Sequence, residues 1–363
     1  MIARMVREAE AFLAMLAPVD RERLAYPFND EERRRFFYTP TDHGGIPLSV
    51  LDPLQQRQGL RLLATGLSEP GYNTVAAIMG LENVLDYREN FRNQLQGRGR
   101  DPMRYYVSIF GTPGDRAWGW RVGGHHVSVN VTIVDDQVYS TPLFFGASPA
   151  GSPMMGGYLH RPLASVEDTA RALLRSLNHD QRQRAVISGS APSDVVSGIE
   201  PVVRAGLNAP ALWAIFRDSF SPEIIEQMKR ADEALNETLG TTEQTRSDVS
   251  LAVAPKGLSA AAMTSEQREL LAEVMTQYVG RLPDELANAW SARLPQLDST
   301  ELSFAWAGGA EPGEPHYYRV QGTRVLMEYD NTQNDVNHVH AVLRDPLDDF
   351  GSDALAAHYA QDH

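Results

Sequence analysis

The sequence predicts an α+β fold with a mainly antiparallel central sheet and helices packed around it. The first hundred residues or so show the helical spacing of apolar side chains. Residues from about 104 to 145 and from about 301 to 344 are instead rich in aromatic and β-branched residues separated by turns. Helical patterns return between these two strand-rich blocks. Since 42% of the 363 residues are hydrophobic, we expect a single domain with a sizeable core over 1–363.

Capping residues and prolines mark the starts of the predicted helices. In chain order, these are an amphipathic helix before Pro18, a short helix capped by Asn29-Asp30, one opening at Pro53, one over about 69–87, one after a capping box at Ser165-x-x-Asp168, one after Ser221-Pro222, and others from Thr264, Pro283 and Ser352. Apart from the helix after Pro222, residues from about 188 to 262 give no clear pattern.

Strand-like segments are predicted over 105–110, 118–122, 125–134, 302–306, 316–320, 325–330 and 337–344. A Gly123-Gly124 turn is expected to join the second segment to the third. Trp120-Arg121-Val122-Gly123-Gly124-x-x-Val127 aligns with Tyr318-Arg319-Val320-Gln321-Gly322-x-x-Val325. This alignment suggests that one hairpin occurs twice and pairs the two strand-rich blocks in one sheet.

Charge and composition exclude several classes of function. The formal net charge of −14 argues against binding of a nucleic-acid backbone. The chain has no cysteine, so a metal site must use histidine and oxygen ligands. Charged residues interrupt the opening apolar stretch, so it does not resemble a signal peptide, and no segment has the roughly 18 apolar residues of a membrane span. We therefore expect a cytoplasmic protein that binds neither membrane nor nucleic acid and acts on a small molecule.

Several short motifs, in order along nearly the whole chain, resemble those of the domain-of-unknown-function 3500 family. They are Phe110-Gly111-Thr112-Pro113, Trp118-Gly119-Trp120, Gly124-His125-His126, Pro142-Leu143-Phe144-Phe145-Gly146, Trp306-Ala307-Gly308-Gly309, Glu328-Tyr329-Asp330-Asn331, Asn337-His338-Val339-His340, Arg344-Asp345 and Asp349-Phe350-Gly351. The resemblance implies one family unit over the chain and supplies no activity.

Two histidine pairs are the candidates for a metal site. On a strand, His338 and His340 point to the same side, as two imidazole ligands of one ion do. His126 is expected to begin a polar row with Asn130, with a surface or hairpin-end histidine as the alternative. His125 is expected on the apolar face, where a core histidine bonded to a backbone carbonyl is the competing interpretation.

Acidic and basic residues on the last strands complete the predicted site. Glu328 is a candidate fourth ligand or catalytic carboxylate, with a structural ion pair to an arginine as the alternative. Arg344 offers a planar fork for an anionic substrate group, or else forms an internal salt bridge with a neighbour. His125 is the remaining catalytic candidate, and Asn130, Trp120, Trp306 and Tyr318 are candidate substrate contacts, although aromatic residues at strand spacing also form cores.

The leading hypothesis is a metal-dependent hydrolase or lyase with a divalent ion, zinc before iron or copper, bound by His126, His338, His340 and Glu328. Three alternatives remain open: a metal-free acid–base enzyme using a histidine and a carboxylate, an oxygen-using iron or copper enzyme, and a non-catalytic protein that binds a small ligand.

Overall fold

The computed structural model describes residues 1–93, 99–217, 220–293 and 299–352, which form the predicted α+β structure. The helices of the described residues are α1 (Ile2–Met15), α2 (Pro18–Leu24), α3 (Pro53–Leu63), α4 (Glu69–Arg88), α5 (Ala164–Ser176), α6 (His179–Ala185), α7 (Pro222–Leu239), α8 (Glu243–Val249), α9 (Ser265–Val279) and α10 (Asp284–Arg293). No helix in this part of the chain combines the length and apolarity that a bilayer crossing requires.

Local sequence signals account for most helix starts. Asp52 forms a capping box with Gln55 at the start of α3, and Ser68 and Ser221 cap α4 and α7. The predicted capping box at Ser165 is wrong. Helix α5 begins at Ala164 without a side-chain cap, so Ser165 already lies inside the helix and cannot cap it. Asp168 forms an ion pair with Arg161. The helix predicted from Ser352 lies almost entirely outside the described residues.

The chain divides into two compact units, and the predicted single domain over 1–363 stays a prediction. The first unit contains Met1–Phe145, Gly280–Ala287 and the chain from Leu347 onward, and the second contains Gly146–Val279 and Asn288–Pro346.

The first unit contains a mainly antiparallel set of strands in the order β1-β3-β4-β5-β7. Strand β2 pairs with β3, β6 pairs with β5, and the β1–β3 pair is parallel. The bounds are β1 (Ala25–Tyr26), β2 (Ile46–Pro47), β3 (Tyr105–Phe110), β4 (Ala117–Gly124), β5 (Val127–Val134), β6 (Gln137–Tyr139) and β7 (Leu143–Ala147).

The β4–β5 turn differs from the prediction. Strand β4 continues through Gly123 and Gly124, and the turn is His125-His126, where His126 adopts a left-handed φ of 64°. The two glycines serve close packing, since a Cβ on Gly124 would lie 2.5 Å from the Tyr105 ring and one on Gly123 would lie 3.0 Å from a neighbouring imidazole. The predicted glycine turn is therefore wrong, and strand alternation does not extend to the histidines.

The second unit contains strands in the order β10-β12-β13-β14-β15, with β11 paired to β12 and a parallel β10–β12 pair. The bounds are β8 (Ser152–Pro153), β9 (Leu159–His160), β10 (Val186–Ser188), β11 (Leu258–Ser259), β12 (Ser303–Gly308), β13 (His316–Gly322), β14 (Val325–Asn331) and β15 (Val339–Arg344), and β8 and β9 form a separate small hairpin.

The two faces of the second unit's sheet differ in chemistry. One face carries a stacked aromatic ladder of Trp306, Tyr318 and Tyr329. The register Tyr317↔Asp330↔His340 places charged and polar side chains on the other face. Residues 191–251 contribute an apolar cluster that packs on this polar face around Tyr317. The candidate site lies beside that cluster.

The two units repeat the same order of elements. Each has two helices, a short strand parallel to a central strand, a short antiparallel edge strand followed by a 3-10 turn, further helix, and a run of antiparallel strands. The sequence echo therefore belongs to a larger repeat. Strand register matches Ala25 to Val186, because they pair with Ile109 and Trp306, which are the cross-strand partners of Trp120 and Tyr318. A β-bulge after Val186 then shifts the register by one residue, so that Tyr26 matches Ser188.

Candidate metal centre

Asp330 and His340 are directly opposite each other on β14 and β15. Cross-strand partners point to the same face of a sheet, so their side chains meet. The Asp330 Oδ1 atom lies 3.3 Å from His340 Nδ1, and both side chains are buried. This pair forms the fixed part of the candidate site because both residues belong to central strands.

Asp194 completes the group from a loop after β10. Its Oδ1 atom lies 2.8 Å from His340 Nδ1 and also accepts a hydrogen bond from the Val195 amide at 2.6 Å. One ligand atom from each of Asp194, Asp330 and His340 lies within 4.8 Å of the others. The three residues together have the donor types and the spacing of a metal site.

The electrostatics of the cluster keep a proton on the imidazole. Burial alone would lower the pKa of His340, but the charges of Asp194 and Asp330 outweigh burial and raise this pKa to about 10. Burial raises the pKa of Asp330 to about 7, although the charge of His340 opposes that change. A divalent ion at this position has to replace the proton of His340.

His338 and His340 come together as the His-x-His pattern predicts. Their ring centroids are 4.7 Å apart in an edge contact. His338 is partly exposed and precedes the strand, and its amide donates to the Asn331 side chain. Its ring faces the Asn334 amide at 3.3 Å. Metal ligation by His338 stays a prediction.

Glu328 lies on the same face of β14 as Asp330, and its carboxylate is fully buried. Its Oε1 atom accepts hydrogen bonds from the Val196 amide and the Tyr317 hydroxyl, and its Oε2 atom accepts one from the Ser197 amide. Among the described residues of this unit, the metal-capable group does not include Glu328. The predicted role of Glu328 as a ligand is untested, and its carboxylate contacts Tyr317 and the loop that carries Asp194.

Arg344 is fully buried on β15 and pairs in register with Leu326, on the same face as His340. Its neighbour Asp345 forms a salt bridge of 2.9 Å with Arg324. The predicted contact between Arg344 and an anionic substrate stays a prediction.

His125 and His126 belong to the first unit, where their rings stack at 3.8 Å. His125 Nδ1 lies 2.5 Å from Glu82 Oε1, so this histidine is held by a carboxylate and not by the backbone carbonyl that the competing interpretation supplied. His126 is buried and its amide donates to the Tyr38 carbonyl. Its predicted role as a metal ligand stays untested, as does the catalytic role of His125.

The predicted substrate contacts are all buried. Trp306 and Tyr318 lie in the aromatic ladder, on the opposite face from His340, and the Tyr318 hydroxyl donates to the Val166 carbonyl. Trp120 and Asn130 belong to the first unit, where Asn130 Nδ2 donates to Ser128 Oγ and to the Pro142 carbonyl. Strand β5 is buried on both faces, so the polar row expected to border a cavity is interior. Contact of these four predicted residues with a substrate stays a prediction.

One family model, described as a protein of unknown function (DUF3500), matches residues 1–352. The chain belongs to the DUF3500 family. No curated protein and no solved structure matches it. The predicted family resemblance is therefore confirmed, and the DUF3500 match adds no activity to the geometry of the site.

Sequence reasoning missed two members of the cluster in this DUF3500 chain. Asp194 lies in the region that gave no clear pattern, 146 residues before His340. Asp330 lies in the motif Glu328-Tyr329-Asp330-Asn331, from which only Glu328 was predicted as a site residue. The repeat contains a signal for Asp330 alone, because strand register matches this acid to Thr132 of the first unit.

Proposed function

We propose that this chain is a metal-dependent enzyme that acts on a small molecule by a hydrolytic or lyase-type reaction. Asp194, Asp330 and His340 would hold a divalent ion. The convergence of three buried ligand-capable groups within 4.8 Å carries the proposal. Two buried carboxylates share one imidazole, and a divalent ion would balance their remaining negative charge, because an unbalanced buried charge is costly.

The donor set fits a catalytic ion. One imidazole and two carboxylates suit zinc, and the same donors also suit iron. Three protein ligands leave a coordination position open, where a bound ion supplies an activated water or polarises a substrate carbonyl. The chain's own contribution is to hold the ligands in place. The absence of cysteine excludes a thiolate-bound zinc site.

Comparison with the repeated unit supports a cation at this position. Strand register matches Thr132 to Asp330, because their cross-strand partners Gly119 and Tyr317 are themselves matched. In the first unit, Arg33 Nη1 donates to Thr132 Oγ1 at 3.2 Å and to the Phe350 carbonyl at 2.7 Å. The first unit thus has a guanidinium beside the position that matches Asp330. A bound metal ion would provide a positive charge beside Asp330 in the second unit.

Metal analysis tests the proposal directly. Protein purified without a histidine tag should contain stoichiometric metal, and titration calorimetry of the demetallated protein should detect Zn²⁺ binding. His340→Gln removes a ligand, so we expect Zn²⁺ affinity to fall at least about 100-fold. His316→Gln is the matched control, since His316 is equally buried on the opposite face of the same sheet. The proposal is contradicted if the demetallated wild type does not bind Zn²⁺, or if His340→Gln and His316→Gln have equal Zn²⁺ affinity.

A metal-free acid–base enzyme is the second candidate. The raised pKa of Asp330, about 7, is the observation that favours it, because a group that titrates near neutral pH suits proton transfer. The two candidates differ in their response to chelators. Turnover of a small-molecule panel that survives removal of all metal supports the acid–base enzyme, and turnover that is lost and restored by Zn²⁺ supports the metal enzyme.

A further inference from the structure

The carboxylate of Glu328 binds the loop that carries Asp194. Its hydrogen bonds are 2.8 Å from the Val196 amide, 3.1 Å from the Ser197 amide and 2.6 Å from the Tyr317 hydroxyl. Two of the three donors are therefore backbone groups of one short segment. Both carboxylate oxygens are used, as a buried carboxylate requires.

This segment presents Asp194 to the imidazole. Asp194 comes two residues before Val196, and its own carboxylate accepts from the intervening Val195 amide at 2.6 Å. Holding the amides of residues 196 and 197 therefore limits where the Asp194 carboxylate can lie. On the preceding side, the Ser193 carbonyl accepts hydrogen bonds from Thr332 and Gln333. Hydrogen bonds to β14 and to the residues that follow it therefore fix the loop on both sides of Asp194.

The first unit indicates that the fold itself does not need this carboxylate. Asn130 corresponds to Glu328, because each is the cross-strand partner of the matched arginine, Arg121 in one unit and Arg319 in the other. Asn130 donates within its own unit to Ser128 and to the Pro142 carbonyl. The same hairpin thus forms with a neutral side chain, and the acid occurs in the unit that has Asp194.

We propose that Glu328 is a positioning residue of the metal centre, which acts through residues 194–197 to hold Asp194 against His340. The inference rests on the proposed function for its metal readout. It also gives Glu328 a role different from the direct ligation that the sequence suggested.

Paired variants on the same strands test the inference. Glu328→Gln replaces one acceptor by an amide N–H that faces a backbone N–H, so we expect Zn²⁺ affinity to fall about 10- to 100-fold. Tyr329→Phe is the control, since it removes a buried hydroxyl from the adjacent position that binds Glu167 on the opposite face. Its Zn²⁺ affinity should equal that of the wild type. Unchanged affinity in Glu328→Gln, or equal losses in both variants, overturns the inference.

A metal-independent readout separates this inference from the proposed function. In protein labelled with ¹⁵N-histidine and freed of metal, the His340 Nδ1 proton that faces Asp194 should give a slowly exchanging signal. We expect Glu328→Gln to lose this signal and Tyr329→Phe to keep it. If the wild type binds no Zn²⁺ but this difference is observed, the proposed function fails and the positioning role stands. If Glu328→Gln keeps the signal, the positioning role is overturned.

Tyr317→Phe decides the question if Glu328→Gln does not fold. It removes one of the three donors and leaves the carboxylate and both backbone hydrogen bonds in place. We expect a smaller loss of Zn²⁺ affinity, about fivefold, with Tyr329→Phe again unchanged. Equal affinity in Tyr317→Phe and the wild type overturns the inference.

Discussion

His340 shows at the scale of one residue how burial and charge compete. Burial opposes the charged imidazole, and the two carboxylates at 2.8 and 3.3 Å reverse that effect. Asp330 shows the opposite balance, because burial dominates its pKa even beside a cation. Both pKa values are raised in the folded state, so the metal-free cluster binds protons more tightly than the unfolded chain does.

Stability of the metal-free protein should therefore contain a component that decreases as pH rises. The ion pairs of His340 contribute fully below about pH 6.5 and are lost as pH rises through about 10. The cost of ionising buried Asp330 is absent below about pH 3.8 and fully developed above about pH 7. Urea unfolding measured from pH 5 to 9 in a chelating buffer should show a shallower decrease for Asp330→Asn than for the wild type.

A second buried histidine provides a control of opposite sign. Burial lowers the pKa of His316, although Glu167 opposes the change. This histidine contributes a component that increases with pH up to about 6.5, so His316→Gln should make the decrease between pH 5 and 6.5 steeper. Parallel pH profiles for the wild type and Asp330→Asn would contradict the electrostatic interpretation of the cluster.

At the scale of elements, local patterns predicted more than long-range contacts. Periodicity and caps located α3, α4, α7 and α9 within a residue or two, and the His-x-His spacing brought two rings together. The turn at His125-His126 was missed because the preceding glycines serve packing and not chain reversal. Asp194 was missed because an irregular loop carries no periodicity, and only tertiary contacts such as those of Glu328 bring it to the sheet.

The repeat of elements allows a substitution that keeps the fold and removes the chemistry. Asp330→Thr gives the second unit the residue that the first unit has at the matched position, Thr132. Since the same strand register accommodates threonine there, we expect the variant to fold, with a far-ultraviolet circular dichroism spectrum like that of the wild type. Loss of one of the three ligands should weaken Zn²⁺ binding in calorimetry. Wild-type Zn²⁺ affinity in folded Asp330→Thr would contradict a metal centre at this position.

At the scale of the whole molecule, a net charge of −14 favours the accumulation of cations, but it does not say where a cation binds. The location follows from the two acids and the imidazole that converge in the second unit, whereas the first unit has Thr132, bonded to the Arg33 guanidinium, at the position that matches Asp330. Each unit therefore serves as an internal reference for the other. A nonspecific effect of metal should slow amide exchange in both units, whereas binding at the site should slow it in the second unit.

Hydrogen exchange followed by mass spectrometry makes that comparison in one experiment. The amides of residues 195–197 bond to side-chain carboxylates and not to a neighbouring strand, so they should exchange faster than the sheet amides in the metal-free protein. Zn²⁺ should slow exchange most in peptides that cover residues 193–197, because the ion fixes the Asp194 carboxylate to the strands. Peptides that cover residues 32–36, in the segment that follows β1 of the first unit, should not change. Equal protection of both segments would indicate nonspecific stabilisation and would contradict a metal centre in the second unit.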